Sequence, residues 1–348
     1  MGRFGQGGIT SSNYNLPLTV SYEPNLWGRL SNSRRKAREL AASAEADYAA
    51  GRLLIASEVA TAYFQWQSLV QEKALLDENV SSRKDALTLL EKRFQAGLED
   101  KEASAQAKVD IATARSDAAS IQPQIDTTFN ALAVLCGQSP GLFDKIKHRA
   151  LGTPPAARAN LPAEVLGHRP DVASSLHSLR AAIADEQLAK AAFFPNVSLT
   201  GSAGYESIDL TTLLKPGSRA WSVGPSLTVP MPDGGRRKAN LKGAQARIDA
   251  AAADWNQIML TALREVEDSL ANGRGARTEF ARLEEAEDAA QEYLSIANSR
   301  YKSGLSNYLS VVDARRILLG IQRSLEQVRR ARYLATVNLI KALGGEWK

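Results

Sequence analysis

The chain is poor in the residues that build thick cores and reactive centres. Aromatics make up only 6% of its 348 residues while alanine is abundant, so a large core packed around rings is not the obvious use of this length. There is one cysteine, Cys136, which excludes an intramolecular disulfide; beside Leu132, Val134 and Leu135 it is expected to be a small buried residue. The three histidines, His148, His168 and His177, form no metal-ligand spacing with it. No apolar run approaches the roughly 20 residues that a transmembrane helix needs. The glycine-rich start, Met1 to Gly8, lacks the apolar stretch of a signal peptide. If a membrane is involved, the route is strands. The net charge of +5 is small, with both signs interspersed, which suits exposed helix faces and argues against nucleic acid.

Catalytic constellations are missing too. There is no glycine-rich phosphate loop after a strand, no metal spacing and no nucleophile paired with a base. The carboxylates of Glu284, Glu285, Glu287 and Asp288 read as a solvated helix face. Neither an enzyme nor a bound cofactor is expected.

What is present is periodic. From Tyr14 to Tyr22, apolar residues at every second position (Tyr14, Leu16, Leu18, Val20, Tyr22) predict a strand. From Arg29 to about Gln95 there is no proline, and Val59, Ala62, Tyr63, Trp66 and Leu69 recur at helical spacing. At about 1.5 Å per residue such a helix would approach 100 Å, far beyond the usual globular length and suited to a coiled-coil or tubular architecture. After a turn at Gly97, a second, alanine-rich helix is expected from about Asp100 to Leu135, kinked by Pro123. Residues 137–162 read as a proline-rich connector. A helix to about Ala192, a strand over Val197–Tyr205, a polar loop, a strand from Trp221 to Val229 and a second long helix from Arg236 follow.

The chain repeats itself. An offset of 207 places Tyr14 on Trp221, Val20 on Leu227, Gly28 on Gly235, Arg29 on Arg236, Asp47 on Asp254, Glu58 on Glu265 and Gly97 on Gly304. Near the ends the offset reads as 208, pairing Asn130–Leu135 with Asn338–Leu343. Two repeats are expected, 1–160 and 161–348. The helix and strand of 161–205 have no counterpart in the first, which is therefore expected to be incomplete at its N-terminal side. The three strands, apolar on one face and small or polar on the other, with Tyr14, Tyr22, Tyr205 and Trp221 near their ends, fit spanning strands of a β-barrel. By alternation alone they fit a soluble antiparallel sheet equally well, and Pro17 and Pro225 each remove a ladder donor from either.

Several motifs resemble the outer-membrane factors, the TolC-like channel-tunnels of tripartite efflux and type I secretion, above all the NodT-type efflux branch. They are Arg169-Pro170-Asp171-Val172, Ala191 to Gly201 (AAFFPNVSLTG), Gly224-Pro225-Ser226-Leu227, Asp233-Gly234-Gly235-Arg236, Glu265-Val266-Glu267-Asp268, Arg300-Tyr301-Lys302-Ser303-Gly304-Leu305 and Lys341-Ala342-Leu343-Gly344-Gly345. The resemblance covers nearly the whole chain. It implies a mainly α fold with a small antiparallel β part: very long coiled-coil helices forming a tunnel, and strands contributing to a trimeric, 12-stranded transmembrane barrel. It implies a homotrimer in outer-membrane lipid, partnered by a periplasmic membrane-fusion (adaptor) protein and an inner-membrane pump, acting as a passive exit duct.

By the same resemblance, adaptor hairpins dock on the small-Gly-Leu turns, here Ala96-Gly97-Leu98 and Ser303-Gly304-Leu305. A closing constriction maps to Leu309 and Asp313, with Arg300 and Tyr301 as latch residues. Three copies of Asp313 in one ring would repel each other and attract cations, and Leu309, four residues earlier, shares its helix face. A plain alternative for Asp313 is pairing with Arg315 or Arg316 on an exposed face. Where efflux relatives often carry a second acidic residue after the turn, this chain has Ser306-Asn307. Position 106, the repeat counterpart of Asp313, is Gln, so gating is expected at the second tip alone. The competing reading from a different class is a soluble trimeric coiled-coil scaffold without a pore.

Overall fold

The computed structural model describes residues 12–142, 149, 151–155 and 169–345. The elements follow in the order β1 (Tyr14–Tyr22), α1 (Arg29–Gln95), α2 (Lys101–Ser120), α3 (Gln122–Leu135), α4 (Pro170–Ala191), β2 (Asn196–Ser207), β3 (Arg219–Thr228), α5 (Arg236–Lys302) and α6 (Tyr308–Ala342). The boundary expected at 160/161, most of the connector, His148 and His168 lie outside the described residues.

The duplication is visible in the backbone. α1 and α5 are each 67 residues long. Both are entered through a glycine of positive φ, Gly28 (72°) and Gly235 (91°), and both are left through another, Gly97 (71°) and Gly304 (72°). α3 ends on Gly137 and α6 on Gly344, again with positive φ. The amide of Gly137 bonds the Val134 carbonyl and that of Gln138 the Ala133 carbonyl; Gly344 and Gly345 repeat this on Lys341 and Ile340. These caps keep the offset at 207 to the end of each repeat, so the offset of 208 is corrected. Buried Leu132 answers to buried Leu339, one position earlier than the chance run of matching letters suggests.

The expected kink is a break. α2 stops at Ser120, and Pro123 stands in the first turn of α3, where a missing amide hydrogen does no harm. Its counterpart in α6 is Arg330, and α6 runs on unbroken for 35 residues. The burial expected of Cys136 is also corrected. It is exposed, because it is the C-cap of α3 and falls off the face carrying Leu132 and Ala133.

Two compact units form, and they are not the two repeats. One comprises the chain up to Ala44 with Ser174–Trp255, the other Glu45–Ala173 with Asn256–Lys348. The first holds the sheet. Its order is β1-β2-β3, antiparallel throughout, so Pro17 and Pro225 both fall on edge strands. Among the described residues there are three strands, one fewer than a 12-stranded trimer would require of each copy. The register sorts the two faces. Leu18 pairs with Ala203 and Ala203 with Trp221, Val20 with Gly201 and Gly201 with Val223, Tyr22 with Leu199 and Leu199 with Pro225. On the other face hydroxyls meet: Ser21 with Thr200 at 3.1 Å and Ser202 with Ser222 at 2.8 Å. Leu18, Val20, Trp221 and Val223 are between 65% and 79% exposed, so the apolar face has no cover among the described residues. Pro17 crosses β2 at Gly204, where an added Cβ would stand 2.2 Å from the Leu16 carbonyl oxygen.

The second unit has no single thick core. Small apolar clusters follow its helices, such as Leu69, Leu76, Ala118 and Ile121, or Val266, Leu339 and Ala342. The Arg169-Pro170-Asp171 motif ties three helices here. Arg169, with only 7% of its side chain exposed, donates to both Asp171 oxygens (3.1 and 2.8 Å), to Glu265 of α5 (2.8 Å) and to the carbonyl of Ala342, the last residue of α6 (3.0 Å). Burial works to raise the Asp171 carboxyl, but the Arg169 guanidinium and the Val172 amide outweigh it and hold it below the usual carboxylate range.

Two outcomes follow. Gly204→Ala should lose strand content in circular dichroism and detergent-stable assembly, while Gly201→Ala, whose new Cβ makes only ordinary contacts with Val223 (3.6 Å) and the Ser222 carbonyl (3.8 Å), should keep both; an intact Gly204→Ala sheet would contradict the register. Because the Asp171 carboxyl is depressed, its stabilisation is complete above the unfolded value of about 4 and is lost as pH falls through the folded value. Asp171→Asn should remove that acid-side loss from the melting temperature measured against pH.

Candidate functional site

The two helix turns, α1 to α2 and α5 to α6, are built alike. At the first, the Gly97 amide bonds the Phe94 carbonyl (3.0 Å) and the Leu98 amide the Arg93 carbonyl (2.9 Å); at the second, Gly304 bonds Tyr301 (3.0 Å) and Leu305 bonds Arg300 (2.9 Å). Only a left-handed residue closes a helix in this manner, hence the glycines. Each turn then holds out one leucine, Leu98 and Leu305, both 69% exposed. The next helix starts on a capping side chain. Asp100 accepts from the Ala103 amide at 2.9 Å, and Asn307, at the same repeat position, from Ser310 at 3.4 Å. The Ser306-Asn307 pair thus supplies a neutral cap where the first repeat has a charged one.

Between the turns lies a cluster that sequence reasoning missed. Tyr301 is buried, and its hydroxyl donates to Glu99 at 2.6 Å. Arg93 lies 3.5 Å from the same carboxylate and stacks its guanidinium over the Tyr301 ring at 5.1 Å, while Tyr308 meets that ring edge-on at 5.7 Å. Burial, then the Glu99 carboxylate, push the Tyr301 phenol far above its ordinary value, so it stays a donor. Below it pack Leu90, Ala107, Ala297, Val311 and Val312. The only available signal was the repeat itself: Arg93 and Arg300 correspond, but Glu99 falls on Ser306 and Phe94 on Tyr301. The pairing arises where the repeats differ.

The first turns of α6 have two faces. Tyr308, Val311 and Val312 are buried in the cluster, whereas Leu309 is half exposed and Asp313 shares its outward face. The Asp313 carboxylate reaches Arg316 at 3.8 Å, with half of its side chain exposed, a loose pair worth at most about 1 kcal/mol. Arg300 is exposed and joins the cluster only through its carbonyl. In the unit that holds the sheet, Tyr14, Tyr205 and Trp221 gather toward one end of the sheet and Tyr22 stands at the opposite one. Trp27 and Phe194, also unanticipated, stack at 4.7 Å beside Tyr22's end, and the Trp27 indole donates to the Pro195 carbonyl at 2.7 Å.

Long paired helices with matched tips, joined to strands carrying one uncovered apolar face, meet their counterpart in sequence comparison: the profile described as outer membrane efflux protein matches residues 4–138 and 161–345. The chain belongs to the outer membrane efflux protein family. It is 34% identical over 348 residues to the outer membrane protein OprJ of Pseudomonas aeruginosa, covering 97% of this chain and 71% of that one. It is likewise 34% identical to the toluene efflux pump outer membrane protein TtgI of Pseudomonas putida, covering 97% and 72%. Among solved structures it superposes on VceC of Vibrio cholerae with a TM-score of 0.88 and 30% identity, over 99% of this chain and 84% of that one. As an outer membrane efflux protein, the chain is a channel subunit and no enzyme, and its place is the outer membrane of a Gram-negative cell, with the helices in the periplasm. The soluble scaffold falls away.

Tyr301→Phe removes one hydroxyl and leaves Glu99 with Arg93 alone. A hydrogen bond to a charged group is worth about 1.5–3 kcal/mol. Amide exchange across 95–103 and 300–308 should accelerate accordingly; an unchanged rate would mean that the Tyr301–Glu99 bond does not hold the tips together.

Proposed function

We propose that three copies of this chain assemble into one duct, gated at the second tip and docked at both. The observation that carries the gate is the outward face of α6. Leu309 and Asp313 lie one helical turn apart on the side away from the Tyr301–Tyr308 cluster, and among the described residues Asp313 has only the loose Arg316 pair. Around a threefold axis they form an apolar ring and a ring of three carboxylates. Like charges gathered in one ring resist closer approach, hold cations and set a barrier to other solutes. Tyr301, bonded to Glu99, acts as the latch that keeps the hairpins together, and Arg300 stays available on the surface. Opening consists of parting the tips, with energy from an inner-membrane pump; the duct itself spends none.

Docking belongs to Ala96-Gly97-Leu98 and Ser303-Gly304-Leu305. Each offers a protruding leucine beside backbone that carries no side chain, a shape that an adaptor hairpin can close over. In the membrane, the apolar sheet face meets lipid, and Tyr14, Tyr22, Tyr205 and Trp221 stand at its two borders. The division into repeats 1–160 and 161–348 accounts for why docking is doubled while gating is single.

Asp313→Ala should raise the ion conductance of closed channels in planar bilayers and weaken cation preference. Unchanged conductance with normal assembly would remove Asp313 from the gate. Burying a leucine is worth about 1.5–3 kcal/mol, so Leu98→Asp and Leu305→Asp should each weaken adaptor binding by about tenfold or more. Full binding by both variants would move the docking site elsewhere.

A further inference from the structure

The helices that leave the sheet begin with the wrong charge. A helix N-terminus favours acidic side chains, yet neither α1 nor α5 has one in its first turn. Both start basic instead: Arg29, Arg34, Arg35, Lys36 and Arg38 precede the first acid of α1, Glu39, and Arg236, Arg237, Lys238, Lys242 and Arg247 precede Asp249 of α5. Some of these are engaged. Arg29 pairs with Glu23, Lys36 reaches Asp185 at 2.6 Å, and Arg247 reaches the other oxygen of Asp185 at 2.8 Å. Arg34, Arg35 and Arg38 are exposed and form no ion pair among the described residues. On α5, Lys238 and Lys242 are exposed, and the Arg236 guanidinium, with 77% of that side chain in solvent, lies 3.7 Å from the Asp233 carboxylate.

Their surroundings define what they face. An open hollow of about 520 Å³ is lined by Asn25, Leu30, Ser31, Arg34, Arg35, Arg38 and Glu39, and the Glu39 carboxylate is already held by the His177 imidazole at 2.7 Å. Leu30, Arg34 and Arg38 succeed one another at four-residue steps on one helix face. Helical side chains lean toward the N-terminus, and Arg34 and Arg38 share the hollow with Asn25, Leu30 and Ser31, which precede them toward the sheet. In that direction lie exposed Leu30 (55%), Leu26 (59%) and the Trp27–Phe194 stack, which continue the uncovered apolar face from Tyr22. Apolar face, aromatic border and cationic collar in that order match hydrocarbon, glycerol region and phosphate of a bilayer leaflet.

We propose that this collar binds anionic phospholipid headgroups of the leaflet on the helical side of the sheet, with a phosphate held between Arg34 and Arg38 of α1 and a second contact at Arg236, Lys238 and Lys242 of α5. The repulsion of basic residues from the helix N-terminus is then offset by the lipid charge, and the chain acquires a fixed depth in the membrane.

The test uses the assembled channel in vesicles of phosphatidylethanolamine with or without phosphatidylglycerol. Brominated phosphatidylglycerol should quench the Trp27-dependent part of the fluorescence, defined by Trp27→Phe, several-fold more than brominated phosphatidylethanolamine; equal quenching overturns the proposal without recourse to any arginine variant. Replacing Arg34, Arg35 and Arg38 together by Gln should lower the phosphatidylglycerol retained through purification by about tenfold. The same charge loss at Arg264, Arg274 and Arg277, exposed on α5 in the other unit, should leave it unchanged. Equal loss in both triple variants, or displacement of the lipid by millimolar inorganic phosphate, would overturn the headgroup site.

Discussion

Close approach of very long helices is the constraint on which the rest of this structure rests. A helix of 67 residues satisfies its own backbone but offers any one neighbour only a narrow strip, and alanine recurs where the helices bury their sides: Ala244 and Ala262 of α5, Ala107 and Ala114 of α2 and Ala314 of α6 are each at most 4% exposed. Alanine seams bring axes near and discriminate poorly between registers. Buried charge supplies the discrimination. Arg83 lies 3.7 Å from Asp110 with both side chains nearly covered, Arg323 reaches Glu72 at 2.7 Å, and Arg169 holds Asp171, Glu265 and a helix-end carbonyl at once. Sliding one helix by a turn would leave Arg83 and Asp110, or Arg169, buried and unpaired, at a cost of about 3–5 kcal/mol; Arg323, with 42% of its side chain in solvent, would lose less.

The strands answer to a different solvent. In hydrocarbon every backbone donor and acceptor must be paired, and only side chains without polar atoms can face outward. The register of β1, β2 and β3 meets the second demand within one chain, since residues of like character stand opposite one another across all three strands. The first demand is met only where β1 and β3 find further strands, and the apolar face left bare in the single chain belongs to the same requirement.

Periodic features were legible from the order of the residues alone. The limits of α1, the alternation of β1 and β3 and the turns at Gly97 and Gly304 each depend on residues near in sequence, where the periods of 2 and 3.6 and the need for positive φ act directly. The Tyr301–Glu99 bond spans 202 positions and pairs residues whose repeat counterparts, Phe94 and Ser306, cannot form it, so no local pattern announces it. The Trp27–Phe194 stack is hidden for the same reason. Cys136 misled because an apolar neighbourhood in sequence says nothing about which side of a helix end a residue leaves by. The slip of the offset to 208 arose from letters; hydrogen bonds at Gly137 and Gly344 count positions more faithfully. At the tips, the shared face of Leu309 and Asp313 followed from their spacing of four, whereas the exposure of that face and the partner that buries Tyr301 did not.

The two tips have unequal caps. Asp100 brings a full negative charge to the start of α2 at 2.9 Å, and Asn307 brings a neutral amide to α6 at 3.4 Å. A charged cap also gains from the helix dipole, which the amide does not. The first turn of α6 is therefore capped more weakly than that of α2, so of two turns built on the same glycine geometry the one that leads to Asp313 is the less firmly closed.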